Sequence, residues 1–266
     1  MKIRPMAVKD GFYPWNPIVL KNMLEEFFAI VKLDIGSRPE SAVAPHAGYV
    51  YSGLVAAYTY KAIFQYLESL PSTIVILVPS HYAIFEGVSV GIFNHLETPF
   101  GRLSGAVELG KRLIKGYPGL FTSYLEPQLP EHAIETQLPF LKYIFDEKGI
   151  EKQILPLVFG QVDVVKVGEV LSQLDDVFFI VSSDLSHYLP YDEAIQRDKI
   201  TLEAFLSQDI TKIVEVADAC GKWPWVSLTV ISLLKKWEPT LLKYLNSGDT
   251  AGDKSRVVGY SSVIYV

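Results

Sequence analysis

Apolar and polar residues alternate along this chain in blocks that each have the length of a secondary-structure element. Continuous apolar runs rich in β-branched residues occupy 73–78, 154–159 and 177–182, which is typical of strands buried on both faces. Amphipathic stretches such as 162–174 separate these runs. The alternation predicts an α/β fold with a mixed, largely parallel central sheet that is covered by helices on both faces.

Shorter segments complete the predicted order of elements. Ser52 is predicted to cap a helix that ends near residue 67, and Ser104 a helix that ends near residue 115. The further predicted helices are 133–147 with a kink at Pro139, 192–206, 210–217 and 225–237. The remaining predicted strands are 41–44, 88–92, 241–246 and 257–266, and the predicted loops are 34–40 and 126–131.

Length and composition favour one folded domain that spans residues 1–266. Hydrophobic residues make up 49% of the 266 residues and charged residues 20%. A chain of this kind can bury a large core, so general disorder is excluded. No Gly-, Ser- or Pro-rich linker divides the sequence into separate domains.

The net charge and the length of the apolar runs argue against two kinds of partner, nucleic acid and a membrane. The formal net charge is −6 and no cluster of Lys and Arg is longer than the Lys235 and Lys236 pair, so we expect no nucleic acid partner. The first residues lack the apolar run of a signal peptide and the longest apolar runs are strand-sized, so we expect no membrane span. The single cysteine excludes an intrachain disulfide, and these features together favour a cytoplasmic protein.

Polar side chains that can bind a ligand follow three of the predicted strands, at 41–44, 73–78 and 177–182. The residues in question are His46, His81 and Asp184, with His187 three residues further on. Because the carboxyl ends of parallel strands meet at one edge of a sheet, we expect these side chains to share one cleft. His132 directly precedes a predicted helix and is expected to join them, whereas His95 lies in an ordinary strand or loop.

These side chains carry the donor atoms of a late transition metal site. Neutral imidazole and carboxylate suit zinc, iron or copper, whereas Ca²⁺ and Mg²⁺ prefer oxygen ligands. Two histidines and one acidic residue also describe the facial triad of non-haem iron sites. Residues three apart on a helical turn share a face, which applies to Asp184 with His187 and to His132 with Glu135. For Glu135 a capping or helix-surface role is the alternative.

Cys220 precedes a tight turn at Gly221 and a predicted helix start at Pro224. A thiol near a helix N-terminus has a lowered pKa and can bind a metal or act as a nucleophile. The alternative is that Cys220 is a small buried apolar residue with no chemical role.

The segment 44–53 supplies candidate groups for an organic ligand. Its glycines let backbone N–H groups approach a ligand, and a helix N-terminus at Ser52 favours an anion. The predicted ligand-binding residues are Tyr49, Tyr51 and Ser52 of this segment together with Ser80. The chain contains neither a Walker loop, nor a G-x-G-x-x-G fingerprint, nor a G-x-S-x-G elbow, so neither nucleotide binding nor a serine hydrolase is supported.

Nine segments, in order along the chain, resemble the motifs of the Memo proteins, a family named for a mediator of cell motility. The hallmark is APHAGYVYSG at 44–53. The other eight are GFYP at 11–14, PSH at 79–81, TPFG at 98–101, EHAIETQLPFL at 131–141, SSDLSHY at 182–188, CGKWP at 220–224, SGDTAGD at 247–253 and VVGYSS at 257–262. One departure is Ala133, where the family more often has serine.

The resemblance implies more than the residue patterns do. Memo proteins are similar in fold to the catalytic subunit of class III extradiol dioxygenases, and they are associated with iron or copper and with redox chemistry. Carried over by motif, the metal ligands are His46, His81 and Cys220, with Asp184 and His187 beside them. Microbial relatives are grouped with radical-SAM and AMMECR-type proteins, which implies a functional association of the same kind here.

The sequence therefore leads to one main hypothesis and two rivals. The main hypothesis is a metal-binding redox protein, in the manner of a non-haem-iron dioxygenase, with iron or copper, or else zinc, on the three ligands and with Asp184, His187 and His132 as catalytic residues. The first rival is a non-catalytic module that binds a small anionic or peptide ligand in the same cleft. The second is a metal-free hydrolase with Cys220 as nucleophile and a histidine as base.

Overall fold

The structure, a computed structural model, describes residues 2–8 and 11–266. Its strands are β1 (Ile3–Arg4), β2 (Ser41–Ala44), β3 (Thr73–Pro79), β4 (Val88–Val90), β5 (His95–Thr98), β6 (Gly101–Gly105), β7 (Phe121–Thr122), β8 (Gln153–Phe159), β9 (Val177–Ser182), β10 (His187–Leu189), β11 (Pro239–Asn246) and β12 (Val257–Tyr265). Its helices are α1 (Pro17–Ile30), α2 (Tyr49–Tyr66), α3 (Val107–Gly116), α4 (His132–Glu135), α5 (Leu138–Lys148), α6 (Val164–Leu171), α7 (Tyr191–Leu206), α8 (Ile210–Val216), α9 (Lys222–Lys235) and α10 (Ser247–Thr250). Short 3₁₀ turns lie at Leu67–Ser69 and Glu126–Gln128.

The strands form one mixed sheet in which β6, β8, β3, β9 and β2 are consecutive parallel neighbours. In register, Ala44 of β2 lies beside Ser182 of β9, and Leu77 of β3 lies beside Val181. β12 adds an antiparallel strand next to β2. The predicted α/β class with a largely parallel sheet is therefore confirmed, and three of the strands that end in ligand-capable residues are direct neighbours.

Each face of this sheet packs against its own hydrophobic core. Along β3, Ile74, Ile76 and Val78 contribute to one core, and Val75 and Leu77 contribute to the other. This alternation is what the period of two along a strand requires when both faces are covered. The first core is completed by α1, α2 and α5, and the second by α3, α6, α7 and α9. The continuous apolar runs of the sequence are explained by burial on both sides.

Two predicted helix starts are wrong in position. α2 begins at Tyr49 behind Gly48 rather than at Ser52, because the N–H of Tyr49 already donates to the carbonyl of Phe12 at 2.7 Å. Ser104 does not cap a helix but pairs with Gln153 in the sheet. α3 starts behind Ala106, which has no side-chain cap.

The helix predicted at 133–147 is in fact two helices. α4 ends at Glu135 and α5 begins at Leu138, so Thr136 and Gln137 lie between them. Pro139 occupies the first turn of α5, where a missing N–H costs no helical hydrogen bond, so it starts a helix rather than kinking one. The sequence pattern also does not predict α1, the helix whose Leu20, Leu24 and Phe28 are buried.

Within residues 2–8 and 11–266, no helix has both the length and the apolar character needed to cross a membrane.

Candidate metal centre

The carboxyl ends of β2 and β3 and the N-terminal end of α9 bring two imidazoles and one thiol together. The ligand atoms of His46, His81 and Cys220 all lie within 4.8 Å of one another. Cys220 Sγ is 3.1 Å from His46 Nε2, and the His46 and His81 ring centres are 5.2 Å apart. The three residues that the family resemblance implies as metal ligands therefore converge at a single point of the described chain.

Cys220 reaches this point because α9 approaches the end of β9 very closely. The N–H of Gly221 donates to the Ser183 hydroxyl at 3.0 Å, and the N–H of Asp184 donates to Cys220 Sγ at 3.2 Å. A Cβ on Gly221 would lie 2.5 Å from the Ser183 Cβ and 2.8 Å from the Ser182 carbonyl oxygen. Only glycine allows this approach, which fixes the thiol beside His46.

His81 is held by Glu131, a fully buried carboxylate at the start of α4. Glu131 Oε1 accepts a hydrogen bond from His81 Nδ1 at 2.7 Å, and Oε2 accepts one from the His81 backbone N–H at 2.8 Å. The same carboxylate caps α4 by accepting the Ala133 N–H. Burial works against its charge, but the hydrogen bonds and the charge of His81 outweigh burial and hold the pKa of Glu131 below its ordinary value.

His46 is held by Ser182, the last residue of β9. His46 Nδ1 lies 2.9 Å from the Ser182 hydroxyl oxygen. That hydroxyl also donates to the Ala133 carbonyl at 2.8 Å and accepts from Gln137 Nε2 at 2.8 Å. All of these groups are buried, so the orientation of the His46 ring is set by a hydrogen-bond network that solvent does not disturb.

A third imidazole, that of His132, completes a triangle of rings. Its centre lies 5.2 Å from the His46 ring centre and 4.4 Å from that of His81. Phe12 packs against its ring at 4.9 Å, and the hydroxyl of Tyr82 is 3.0 Å from its Nδ1. The expected convergence of His132 with the other two histidines is therefore seen in the geometry.

Burial controls the ionisation of the centre. It lowers the pKa of His46 well below the ordinary value, with the charges of His132, His81 and His187 adding to the effect. Burial, followed by the charge of His81, also lowers the pKa of His132 to about 4. Both imidazoles are therefore neutral at neutral pH, the form that can bind a metal. Burial raises the pKa of the Cys220 thiol, and the Asp184 carboxylate raises it further.

Asp184 and His187 do not share a helical turn. The chain after β9 is irregular, and His187 opens β10, which pairs with β12. Asp184 is buried, and its Oδ1 accepts the backbone N–H of His46 at 2.8 Å. Burial raises the pKa of Asp184 to about 7, against the opposing hydrogen bonds from the N–H groups of His46 and Ala47. His187 is exposed whereas Asp184 is buried, yet both line one cavity, as their predicted shared cleft requires.

The segment 184–187 is held in place by contacts with α7. Asp198 accepts the Ser186 N–H at 2.9 Å and the Tyr244 hydroxyl at 2.8 Å. A Cβ on Gly259 would lie only 2.0 Å from the Asp198 carboxylate, so glycine is required for β12 to pass this point. The conformation of the segment is therefore determined by buried contacts rather than by local helix formation.

A cavity of about 630 Å³ lies next to the three converging residues. It is lined by Asp184, which accepts the N–H of His46, and by His132, which packs against His46 and His81. His187, Arg256 and the rings of Phe12 and Tyr260 also line it. The cavity therefore places one cation and several aromatic surfaces next to the three residues predicted as catalytic. This volume is in the range that small organic ligands occupy.

Only one of the four predicted ligand-binding residues faces this cavity. Tyr51 lines it and is 43% exposed. The hydroxyl of the buried Tyr49 donates to the Thr136 carbonyl at 2.6 Å, and that of Ser52 donates to the Ala47 carbonyl. Ser80 closes a turn by donating to the Ala83 carbonyl. Three of the four hydroxyls therefore have partners within the fold.

Glu131 and Glu135 have different structural roles, which the sequence did not distinguish. Glu131, which holds His81, was not singled out, although its place between a loop and His132 identifies it as a helix cap. Glu135 has neither a surface nor a capping role. It is fully buried, binds Arg4 at 2.8 Å and accepts from the N–H groups of Ala7 and Val8, so it fastens the N-terminal segment.

Comparison with known proteins agrees with the motifs. The family model described as Memo-like protein matches residues 4–264. MEMO1 family proteins of Methanosarcina barkeri and Methanopyrus kandleri are 36% and 33% identical to this chain, over 98% of its length and over 99% and 98% of their own. A MEMO1 family protein of Aquifex aeolicus is 32% identical over 100% of both chains. The solved structure of an uncharacterized Escherichia coli K12 protein shares the fold, with a TM-score of 0.52 and 13% identity over 85% of this chain and 100% of that one. This chain belongs to the Memo family.

Proposed function

We propose that this protein is a metal-binding redox protein in which His46, His81 and Cys220 hold one iron or copper ion. The observation that carries the proposal is the convergence of the three ligand atoms within 4.8 Å. Thiolate and imidazole together favour soft and borderline ions, among which Fe(II), Cu(I) and Zn²⁺ are the common ones. The similarity in fold that the Memo family has to non-haem-iron dioxygenases favours a redox-active ion over zinc.

The residues fit such an ion in distance and in chemistry. A metal at about 2.3 Å from sulfur and about 2.0–2.1 Å from nitrogen separates the two ligand atoms by about 3.1–3.6 Å. The observed distance from Cys220 Sγ to His46 Nε2 is 3.1 Å. The other ring nitrogen of His46 and of His81 is already hydrogen-bonded, to Ser182 and Glu131. This is the usual arrangement of metal-binding histidines.

Iron or copper on three protein ligands would supply electron exchange and an open position for a ligand. The chain's own residues supply the rest. Asp184, with its pKa near 7, can hold or release a proton at the cavity wall at neutral pH. His132 is neutral, so it can accept a proton from a molecule in the cavity. Phe12 covers the ring of His132 and reduces its contact with water.

The hydrolase alternative is less well supported. The 3.1 Å contact between Cys220 and His46 is the distance of a nucleophile and its base. A nucleophilic cysteine, however, needs a low thiol pKa, and burial together with Asp184 raises the pKa of Cys220. Two imidazoles and a thiol at these distances are better explained as ligands of one cation, which would stabilise the thiolate.

The test is metal analysis of protein prepared without oxygen. We expect about one iron or copper ion per chain, bound through ligands of the kind described. His46→Ala, His81→Ala and Cys220→Ala should each abolish stoichiometric binding. His95→Ala is the matched control, because His95 lies in β5 and belongs to neither group of potential ligands found in the described chain. Exposure to air should change the absorption or EPR spectrum of the loaded protein.

Two results would contradict the proposal. Metal content that is unchanged in both His46→Ala and His81→Ala would remove the metal centre. Stoichiometric zinc with no spectral response to air, and no uptake of iron or copper, would leave a metal site but remove the redox function. Binding of organic anions by metal-free protein, with the same affinity as by loaded protein, would favour the binding-module alternative.

A further inference from the structure

We infer that two separate hydrogen-bond relays hold His46 and His81 in the same tautomer, with the proton on Nδ1 and the Nε2 lone pair free. Glu131 acts on His81, and a chain that runs from Tyr60 through Gln137 and Ser182 acts on His46. Glu131 and Ser182 are thus positioning residues of the centre. The tautomers follow from hydrogen bonding alone, whereas their effect on metal affinity rests on the proposed function.

The assignment for His81 follows from the donors around the Glu131 carboxylate. Its carboxylate receives hydrogen bonds from the N–H groups of His81 and Ala133, at 2.8 and 3.1 Å, so it is surrounded by donors. The remaining contact, at 2.7 Å, is with His81 Nδ1. An ionised carboxylate has no proton to give, so the proton of this bond must be on Nδ1. His81 Nε2 is then the nitrogen left for an ion.

The relay to His46 begins with an amide whose orientation is unambiguous. Gln137 Nε2 lies 3.0 Å from the Pro45 carbonyl oxygen, which can only accept. The amide nitrogen must therefore face Pro45, and it also donates to the Ser182 hydroxyl at 2.8 Å. Gln137 Oε1, on the other side, accepts from the Tyr60 hydroxyl at 2.6 Å. Exchanging the two amide atoms would set oxygen against oxygen at Pro45.

The Ser182 hydroxyl links the fixed Gln137 amide to His46. Its single proton is needed at the Ala133 carbonyl, 2.8 Å away, and one lone pair is taken by Gln137. Its free lone pair faces His46 Nδ1 at 2.9 Å, so Nδ1 must donate. His46 Nε2 is thereby left as a bare lone pair beside Cys220 Sγ.

A fixed tautomer matters because a neutral imidazole carries only one bare nitrogen. If the proton sat on Nε2, the ring would present an N–H to the ion and could not bind it without rearranging. Partners that hold the other nitrogen also raise the basicity of the ligand, and their loss typically costs about 10- to 100-fold in metal affinity.

Glu131 has a competing role that the geometry disfavours. With His81 and His132 it forms a second group whose potential ligand atoms lie within 4.8 Å of one another. In this fully buried place Glu131 already accepts hydrogen bonds from two backbone N–H groups and from His81 Nδ1, and an ion bound there would compete with them. His132 Nδ1 is 3.5 Å from Glu131 and has a closer partner in the Tyr82 hydroxyl.

The direct experiment is long-range ¹H–¹⁵N NMR of the metal-free wild-type protein, which assigns the protonated nitrogen of each imidazole. We expect both His46 and His81 to carry the proton on Nδ1. Detection of an Nε2 proton as the main form on either ring would overturn the inference. This measurement involves no metal, so it stands even if the proposed function fails.

Metal titration then tests the two positioning residues. We expect the dissociation constant for Fe(II) or Cu(I) to rise about 10-fold in Ser182→Ala and towards 100-fold in Glu131→Gln, because the latter also removes a charge. Ser41→Ala is the control for the first, since it removes a buried hydroxyl from the adjacent strand that has no hydrogen-bond partner. Glu135→Gln is the control for the second, since that carboxylate serves Arg4 and the N-terminal segment.

The possible outcomes distinguish the tautomer assignment and the positioning roles from the metal proposal. Wild-type affinity in both Ser182→Ala and Glu131→Gln would refute the positioning roles, as would equal losses in the control variants. A fall from two bound ions to one in Glu131→Gln would make Glu131 a ligand and would also overturn its positioning role. If no variant or wild type binds metal while both Nδ1 protons are found, the tautomer assignment is upheld and the metal proposal is lost.

Discussion

The backbone N–H of His46 donates a 2.8 Å hydrogen bond to the carboxylate of Asp184, 138 residues further along the chain. The bond ties the turn after β2 to the turn after β9. Asp184 and His187 are also absent from the two groups of potential metal ligands in the described chain. Both line the cavity, and we therefore assign neither to the proposed ion.

We predict that Asp184→Asn and His187→Ala retain the metal, with a dissociation constant that rises by at most about 10- to 100-fold. Binding of a cavity ligand, or turnover, should fall by more than the metal affinity does. His81→Ala is the reference, in which stoichiometric metal binding should be lost. Metal titration of the three variants decides the matter: a loss in either of the first two that is as complete as in His81→Ala would make that residue a ligand.

The approach of α9 to β9 gives a second prediction. Gly221→Ala should push the N-terminal end of α9 away from Ser183, destabilise the fold by about 1–3 kcal/mol and weaken metal binding through Cys220. Gly36→Ala is the control, because a Cβ at Gly36 meets no atom within 4 Å. Urea unfolding and metal titration measure the two effects. If Gly221→Ala and Gly36→Ala had the same unfolding stability and the same metal affinity, the close approach of α9 to β9 would not position the thiol.

A third prediction concerns the release of a proton when a metal binds. Burial and the Asp184 carboxylate raise the pKa of Cys220, so without a metal the thiol is protonated at neutral pH. A metal binds the thiolate. Metal binding should therefore release about one proton, and the apparent affinity should rise about tenfold for each pH unit near neutrality. Calorimetry in buffers of different ionisation enthalpy measures the release. Cys220→Ala, in which any residual binding should release none, is the control.

The buried ion pair of Arg4 and Glu135 gives a fourth prediction. Arg4→Met leaves a carboxylate buried without its cation, which should lower the free energy of unfolding by about 3–5 kcal/mol. Lys166→Met removes one partner of an exposed pair with Glu169 and should leave stability unchanged. Denaturant unfolding of both variants is the measurement. Equal stability of Arg4→Met and wild type would show that the pair does not fasten the N-terminal segment.

The parts of the site that could be predicted are those that local patterns determine. The apolar runs of β3 and β9 are buried on both faces, so their length and ends are visible in the sequence, and the side chains after them lie where parallel strands place them. The motifs of the family located Cys220, whose approach to His46 depends on the packing of α9 against β9.

The parts that could not be predicted depend on contacts between distant segments. Ser52 has the side chain of a helix cap, but the carbonyl of Phe12 replaces it and the helix starts earlier. Asp184 and His187 have helical spacing, but the contact of Ser186 with Asp198 holds their segment in another conformation. Glu131 was placed only at the end of a predicted loop, and its role depends on His81, which lies 50 residues away in the sequence.

The position of β9 between β2 and β3 sets the order of events when the chain is made. His46 and His81 leave the ribosome long before β9 exists, and they cannot take up their final separation until that strand has been inserted between their own. Cys220 emerges later still. Such long-range pairings close slowly because the connecting loops must be ordered first. A nascent chain therefore has no centre to fill, so on the proposed function iron or copper would enter only the finished fold.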